Sequence, residues 1–310
     1  MTAILLVTAP VFALLLLGYL TTFMPVFDAA TSRVLAAFVY WLAIPALLVR
    51  ALSRTGLPDA VPVGQLAAYL LGIACIFALS ALIGRLRGER RVDRLGILGF
   101  SGAFGNTLLL GTPIILTAFG ETAALPFFLV MTFDSLFLFA AVTIVCEIGQ
   151  GGGEGLRTLP RAILERLLTN PVILAMLVGA AMNITGLTLP GVADRFVELL
   201  AGAAVPCALV ATGAALRAYR LGGAIADAVI LTVLKLLLQP LLVWSLATYV
   251  FVVPPLWAAV ATVAAAMPVG VNAYIFANRY GIGQASTAAA ILLSTLLSVL
   301  TVTALIAFLI

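Results

Sequence analysis

Apolar residues run along this chain in long blocks rather than in alternation. Blocks bounded by charged residues or by Pro/Gly clusters occupy 3–22, 31–52, 64–84, 95–119, 123–147, 170–188, 194–216, 224–250, 255–279 and 285–309. Each is close to the roughly 20 residues an α-helix needs to cross a hydrocarbon core. Strands of an outer-membrane barrel alternate apolar and polar residues, and these blocks do not. The pattern predicts an all-α polytopic membrane protein of ten transmembrane helices. The first block opens with no basic region and no small-residue cleavage site, so it reads as a retained helix rather than a signal peptide.

Composition narrows the function. Hydrophobic residues make up 64% of the 310 and charged residues 9%, against about 25% charged in an ordinary soluble domain. That excludes a soluble enzyme and a nucleic-acid binder. There is no histidine, and Cys75, Cys146 and Cys207 stand far apart in apolar runs. Neither a metal centre, a redox motif nor a cofactor is indicated.

The net charge of +4 is better read as topology than as affinity for polyanions. Segments that follow odd-numbered blocks hold twelve of the sixteen Lys and Arg, those that follow even-numbered blocks hold three, and Lys235 lies inside the eighth. Basic loops stay on the cytoplasmic side. This places the protein in the inner (plasma) membrane with both termini on the non-cytoplasmic side. Residues 149–169 are Gly-rich at their start but lack the Gly-Lys-Ser/Thr of a phosphate loop, so they read as a cytoplasmic linker.

The linker separates two similar halves, 1–148 and 170–310. A shift of 161 residues sets Pro10 on Pro171, Gly18 on Gly179, Pro45 on Pro206 and Gly120 on Gly281, with Ala43, Leu48 and Val49 on Ala204, Leu209 and Val210. Each half has five helices, an odd number, so the second copy is inverted in the membrane. Inverted repeats are common in secondary transporters.

The fourth helix of each half is interrupted. Span 4 carries Gly99, Gly102, Gly105, Asn106 and Thr107, and span 9 carries Pro268, Val269, Gly270 and Asn272. Gly and Pro break helices at depth, and irregular backbone is tolerated there only inside protein or beside a wet cavity. Two such breaks at matched positions are expected to cross. Free N–H groups at Asn106–Thr107 and Val269–Gly270, with the positive ends of the following half-helices, would suit a carboxylate. Asn106 and Asn272 would add neutral donors.

On these residues the chain resembles the auxin efflux carrier family, in particular its bacterial members. The resemblance is carried by Pro45-Ala46-Leu47-Leu48, by Gly105-Asn106-Thr107 with Gly111-Thr112-Pro113, and by the span from Lys235 to Gln239-Pro240. Pro268 to Asn272, Arg279-Tyr280-Gly281 and Leu293 to Ser298 complete it. It implies two inverted five-helix repeats with broken, crossing helices 4 and 9, a homodimer and an elevator mechanism. Spans 1, 2, 6 and 7 would be the scaffold, and spans 3–5 and 8–10 the mobile part. It also implies transport of small organic anions, carboxylates such as malonate. Many plant members have Pro where this chain has Gly105, and the long cytoplasmic loop of many plant exporters is absent.

Two ionisable residues lie deep, Asp134 in span 5 and Lys235 in span 8, and an intramembrane charge is a functional candidate by default. They either pair with each other or, in the case of Asp134, bind a coupling proton. Ser135 is a candidate for the same cavity, and Tyr40 for the scaffold side of the site. Arg50, near the outer end of span 2, reads as a snorkelling side chain. The leading function is a secondary carboxylate carrier in the bilayer, proton-coupled or gradient-driven. The alternatives are a sodium-coupled symporter of the bile-acid type and a channel. An enzyme is not indicated.

Overall fold

The computed structural model describes residues 2–24, 29–54, 62–151, 160–161, 164–165, 168–217 and 224–310. The greater part of the Gly-rich linker (152–159, 162–163 and 166–167) and Arg220 lie outside the described residues. Among the described residues the regular secondary structure is helical, apart from one isolated backbone bridge. The helices are α1 (Thr2–Thr21), α2 (29–54), α3 (Val63–Leu86), α4 (Val92–Ala103), α5 (Thr107–Phe119) and α6 (Ala124–Gln150). They continue with α7 (Pro171–Thr185), α8 (Gly191–Leu216), α9 (Ile225–Val250), α10 (Pro255–Ala265), α11 (Val271–Tyr280) and α12 (Gln284–Leu309). Among the described residues six helical stretches are long and apolar enough to cross a membrane, and four apolar helices are shorter.

Three of the helices widen into a π turn just ahead of a proline. The turns are Val39–Ala43 before Pro45, Thr107–Gly111 before Pro113 and Leu234–Leu238 before Pro240. Proline has no N–H to donate, and its ring collides with the carbonyl four residues back. Widening the preceding turn relieves the collision while the helix continues.

The chain forms two compact units. The first comprises Met1–Val61, Leu108–Phe128 and Glu165–Ala218. It contains α1, α2, α7, α8 and most of α5. Here two glycines bring helix backbones together. A Cβ on Gly18 of α1 would lie 2.3 Å from the Val210 carbonyl of α8, and one on Gly179 of α7 would lie 3.2 Å from the Cα of Val49 of α2. Both members of the first contact stand 161 positions from their counterparts in the second. Small residues let membrane helices approach this closely. Arg50 does not simply snorkel: its guanidinium lies 2.9 Å from Glu198 and 3.9 Å from Glu121.

The second unit comprises Pro62–Thr107, Leu129–Leu164 and Tyr219–Ile310. It gathers α3, α4, the greater part of α6, and α9 to α12. At one end Asp227 of α9 accepts from Arg87 (2.9 Å) and Arg94 (3.4 Å), which tie in α3 and α4. In the first turn of α4, hydrogen bonding from Arg91 holds the Asp93 carboxyl below its ordinary range. Deeper in, Phe100, Phe104, Phe139 and Phe276 stack with centroids 4.9 to 5.8 Å apart, locking α4, α6 and α11 together.

Candidate functional site

Two interruptions meet inside the second unit. The first, Phe104–Asn106, separates α4 from α5, and the second, 266–270, separates α10 from α11. Gly99 and Gly102 do not break the chain. Both lie within α4, where their missing side chains admit Phe77 and Ser80 of α3.

The two breaks pair as antiparallel strands one bridge long, Gly105 opposite Val269. The Asn106 N–H donates to the Pro268 carbonyl at 2.7 Å, and the Gly270 N–H donates to the Phe104 carbonyl at 3.0 Å. Backbone groups freed from a helix must find partners where water is scarce, and here each break satisfies the other. Pro268 keeps the preceding residue out of the helical region. Gly270 is demanded by approach: a Cβ there would sit 2.7 Å from the Gly105 carbonyl and 2.6 Å from the Phe104 ring. Ser294 of α12 adds an anchor, its Oγ accepting from the Val269 N–H at 3.0 Å.

This corrects the expectation that the N–H groups of Asn106, Val269 and Gly270 are free for a ligand. All three are engaged within the crossing. The donors left over lie one step further on. Val271 and Asn272 open α11, and first-turn N–H groups have no intrahelical acceptor. The side-chain amides of Asn106 and Asn272 and the hydroxyls of Thr107 and Ser135 carry no hydrogen bond to another described residue. Asn106 and Thr107 are buried, while Asn272 and Ser135 are half-buried.

The deep charges are both wholly buried in the second unit. Among the described residues they make no ion pair within 4 Å, so direct pairing does not describe them. Lys235 donates from Nζ to the carbonyl of Ala265, at the end of α10, at 2.7 Å. A Cβ on Gly105 would lie 3.1 Å from that same Nζ, which puts the ammonium against the crossing. Asp134 accepts from the hydroxyl of Tyr69 at 3.3 Å, and its Oδ2 has no partner among the described residues.

The sequence reading therefore placed Gly105, Asn106, Thr107, Pro268, Val269, Gly270, Asn272, Ser135, Asp134 and Lys235 in what is one unit. Tyr40 falls in the other, in the π turn of α2. Tyr69, Ser294 and Gln239 were missed as contributors. Gln239, four residues after Lys235, is wholly buried, and neither amide atom has a partner among the described residues. A polar residue in the middle of an apolar block was the available signal for it.

An all-helical, multi-pass architecture with broken helices paired at their breaks is that of a membrane transport protein. The chain matches the family described as Membrane transport protein over residues 3–306 and belongs to it, the auxin efflux carrier family. Over 296 residues it is 31% identical to a Rhizobium meliloti (strain 1021) protein named "Putative malonate transporter", covering 96% of this chain and 92% of that one. It is 29% identical over 296 residues to an "Uncharacterized transporter" of Methanothermobacter thermautotrophicus, covering 93% of this chain and 92% of that one. The family is one of transporters rather than enzymes.

Proposed function

We propose that the protein is a secondary carrier for small organic anions, with malonate and similar carboxylates as the substrate class. The observation that carries this is the set of donors left beside the crossing. The amides of Asn106 and Asn272, the Thr107 hydroxyl and the first turn of α11 lie about one short stretch of paired backbone, with the Lys235 ammonium against it. Neutral donors, a positive helix end and a nearby cation together stabilise a carboxylate that must leave water. The name of the Rhizobium relative is consistent with that chemistry.

In this reading the ten helices form two inverted repeats, 1–148 and 170–310, and the Gly18–Val210 and Gly179–Val49 contacts support it, being related by the repeat offset. Spans 3–5 and 8–10, which hold the crossing, are the moving part of an elevator, and spans 1, 2, 6 and 7 are its scaffold. The working form is a homodimer in the inner membrane with both termini on the non-cytoplasmic side. Ser135 lines the anion's cavity, and Tyr40 enters through the resemblance alone. Asp134 binds the coupling proton: it is a buried carboxyl whose one oxygen accepts from the Tyr69 hydroxyl and whose other has no hydrogen-bond partner among the described residues.

Counterflow of labelled malonate into proteoliposomes tests the reading. Wild type is expected to accumulate label, and Asn106→Ala to lose uptake while remaining folded. Wild-type uptake indistinguishable from empty liposomes for malonate and every other small carboxylate screened would refute the substrate class.

A further inference from the structure

Four phenylalanine rings stand beside the crossing, and so far they have only a packing role. Phe139 of α6 stacks on Phe276 of α11 with centroids 5.3 Å apart, and on Phe104 at 5.4 Å. Phe100 of α4 backs the group, 5.0 Å from Phe276. Phe104 reaches the crossing itself: a Cβ on Gly270 would lie 2.6 Å from its ring. All four belong to the second unit.

Helix direction decides what lies on each side of this stack. Beyond the rings α6 meets α11 again, where the Tyr280 hydroxyl donates to Glu147 at 3.2 Å and the Gln150 amide donates to the Tyr280 carbonyl at 3.4 Å. The two helices therefore pass the rings in the same direction. α4 passes them in the opposite direction, because its first turn lies against the end of α6: the Cys146 thiol donates to the Asp93 carbonyl at 3.5 Å. One side of the stack thus leads to Asp93, Glu147 and Tyr280. On the other side stand Ser135 and Asn272, each four residues before its phenylalanine and on the same helix face. Asn106, two residues beyond Phe104 on the reversed chain, is on that side too. These are side chains that the carboxylate-carrier reading gives to the anion.

We propose that Phe139 and Phe276, closed by Phe104, form the floor of the anion site and set the size of substrate it admits. The proposal rests on the carboxylate-carrier reading and adds its specificity. A ring face offers no strong hydrogen bond, so a carboxylate pressed onto it loses water without compensation. Rings packed together from three segments have no free space to swing into. A compact diacid such as malonate keeps both carboxylates among the donors. An alkyl-substituted malonate keeps them there as well, but its substituent must then find room against the rings.

Counterflow of labelled malonate and labelled butylmalonate into proteoliposomes reads this as a ratio of uptake. Wild type is expected to favour malonate by at least about tenfold, the scale on which a pocket rejects extra methylenes. Phe139→Ala and Phe276→Ala are expected to lower that ratio by about tenfold, through gained butylmalonate uptake and not only lost malonate uptake. Phe139→Leu is the milder change for a variant that fails to accumulate, and is expected to shift the ratio the same way by a smaller factor. Phe128→Ala removes a wholly buried ring of the first unit and is expected to leave the ratio unchanged. A wild type that carries butylmalonate as well as malonate overturns the proposal without any variant. So do folded Phe139 and Phe276 variants that keep the wild-type ratio, or a Phe128→Ala protein that shifts it as far. Each of these results leaves the carrier reading intact. A wild type that carries no small carboxylate refutes that reading, and the floor falls with it.

Discussion

Gly270→Ala is the sharpest test of the crossing, because the obstacle is backbone. The new methyl would lie 2.7 Å from the Gly105 carbonyl oxygen and 2.6 to 2.7 Å from two atoms of the Phe104 ring. Real Cβ contacts do not come that close, and neither neighbour is free to swing away. The carbonyl belongs to the bridge, and the ring is stacked on Phe100 and Phe139. The two breaks must therefore separate. Overpacking of this sort costs roughly 1–3 kcal/mol. Separation also weakens the Asn106 and Gly270 hydrogen bonds, each worth about 1 kcal/mol net. The expected destabilisation is thus about 2–5 kcal/mol, concentrated where the substrate would sit. Gly105→Ala makes the internal comparison. Its nearest neighbour is the end of a flexible lysine at 3.1 Å, so it is expected to be milder in stability while still moving the ammonium. Gly202→Ala is the control: in α8 with nothing within 4 Å, it is expected to be neutral or stabilising by up to about 1 kcal/mol. Thermal unfolding in detergent and malonate counterflow would be measured side by side. Gly270→Ala matching wild type in both, or Gly105→Ala proving the more damaging to stability, would refute the account of why the crossing needs these glycines.

Ser294→Ala strands the buried Val269 N–H and is expected to cost about 1–3 kcal/mol, with Ser294→Thr recovering part of it; thermal unfolding reads both. Asp134→Asn keeps shape but cannot ionise, and it is expected to abolish the dependence of malonate uptake on an imposed proton gradient; an unchanged gradient dependence would exclude Asp134 as the proton site. Pro240→Ala lets the turn ahead of it close to a regular helix, which would turn Lys235 away from Ala265. Uptake is expected to fall further than the melting temperature, and a fully active variant would show that the π turn does not aim the lysine.

The helices were legible because lipid enforces them: a block of apolar residues of the right length has few other folds open to it. The breaks were legible for the same reason, since Gly105, Pro268 and Gly270 are costly in a helix interior unless the backbone is paired elsewhere. What the sequence did not reveal is where the freed groups go. Ser294 and Thr295 are neighbours of similar chemistry in α12. Thr295 donates back to its own helix at Ile291, whereas Ser294 also accepts from a different segment, at Val269. Local sequence does not distinguish these roles, because the partner is set by tertiary approach. The same holds for the Asn106 N–H, which a dipole argument offers to a ligand and the fold gives to Pro268. Nor did the apolar blocks reveal that 108–128 joins the first unit while 62–107 joins the second. Block four is continuous in hydropathy, and the division falls within it, just past the break.

The prolines carry more of the site than their spacing suggested. Pro45, Pro113 and Pro240 each follow a π turn. A π turn inserts one residue, and one residue is about 100° of rotation in a helix. In α9 that rotation acts on the turn that carries Lys235, and in α5 it acts on the residues immediately after Asn106. The same device therefore operates on both sides of the crossing: on the helix that delivers the cation, and on the half-helix that leads away from the first break. A proline two residues past the end of such a turn is, in this chain, a statement about the direction in which the residues of that turn point, and the broken helices alone would not have set that direction.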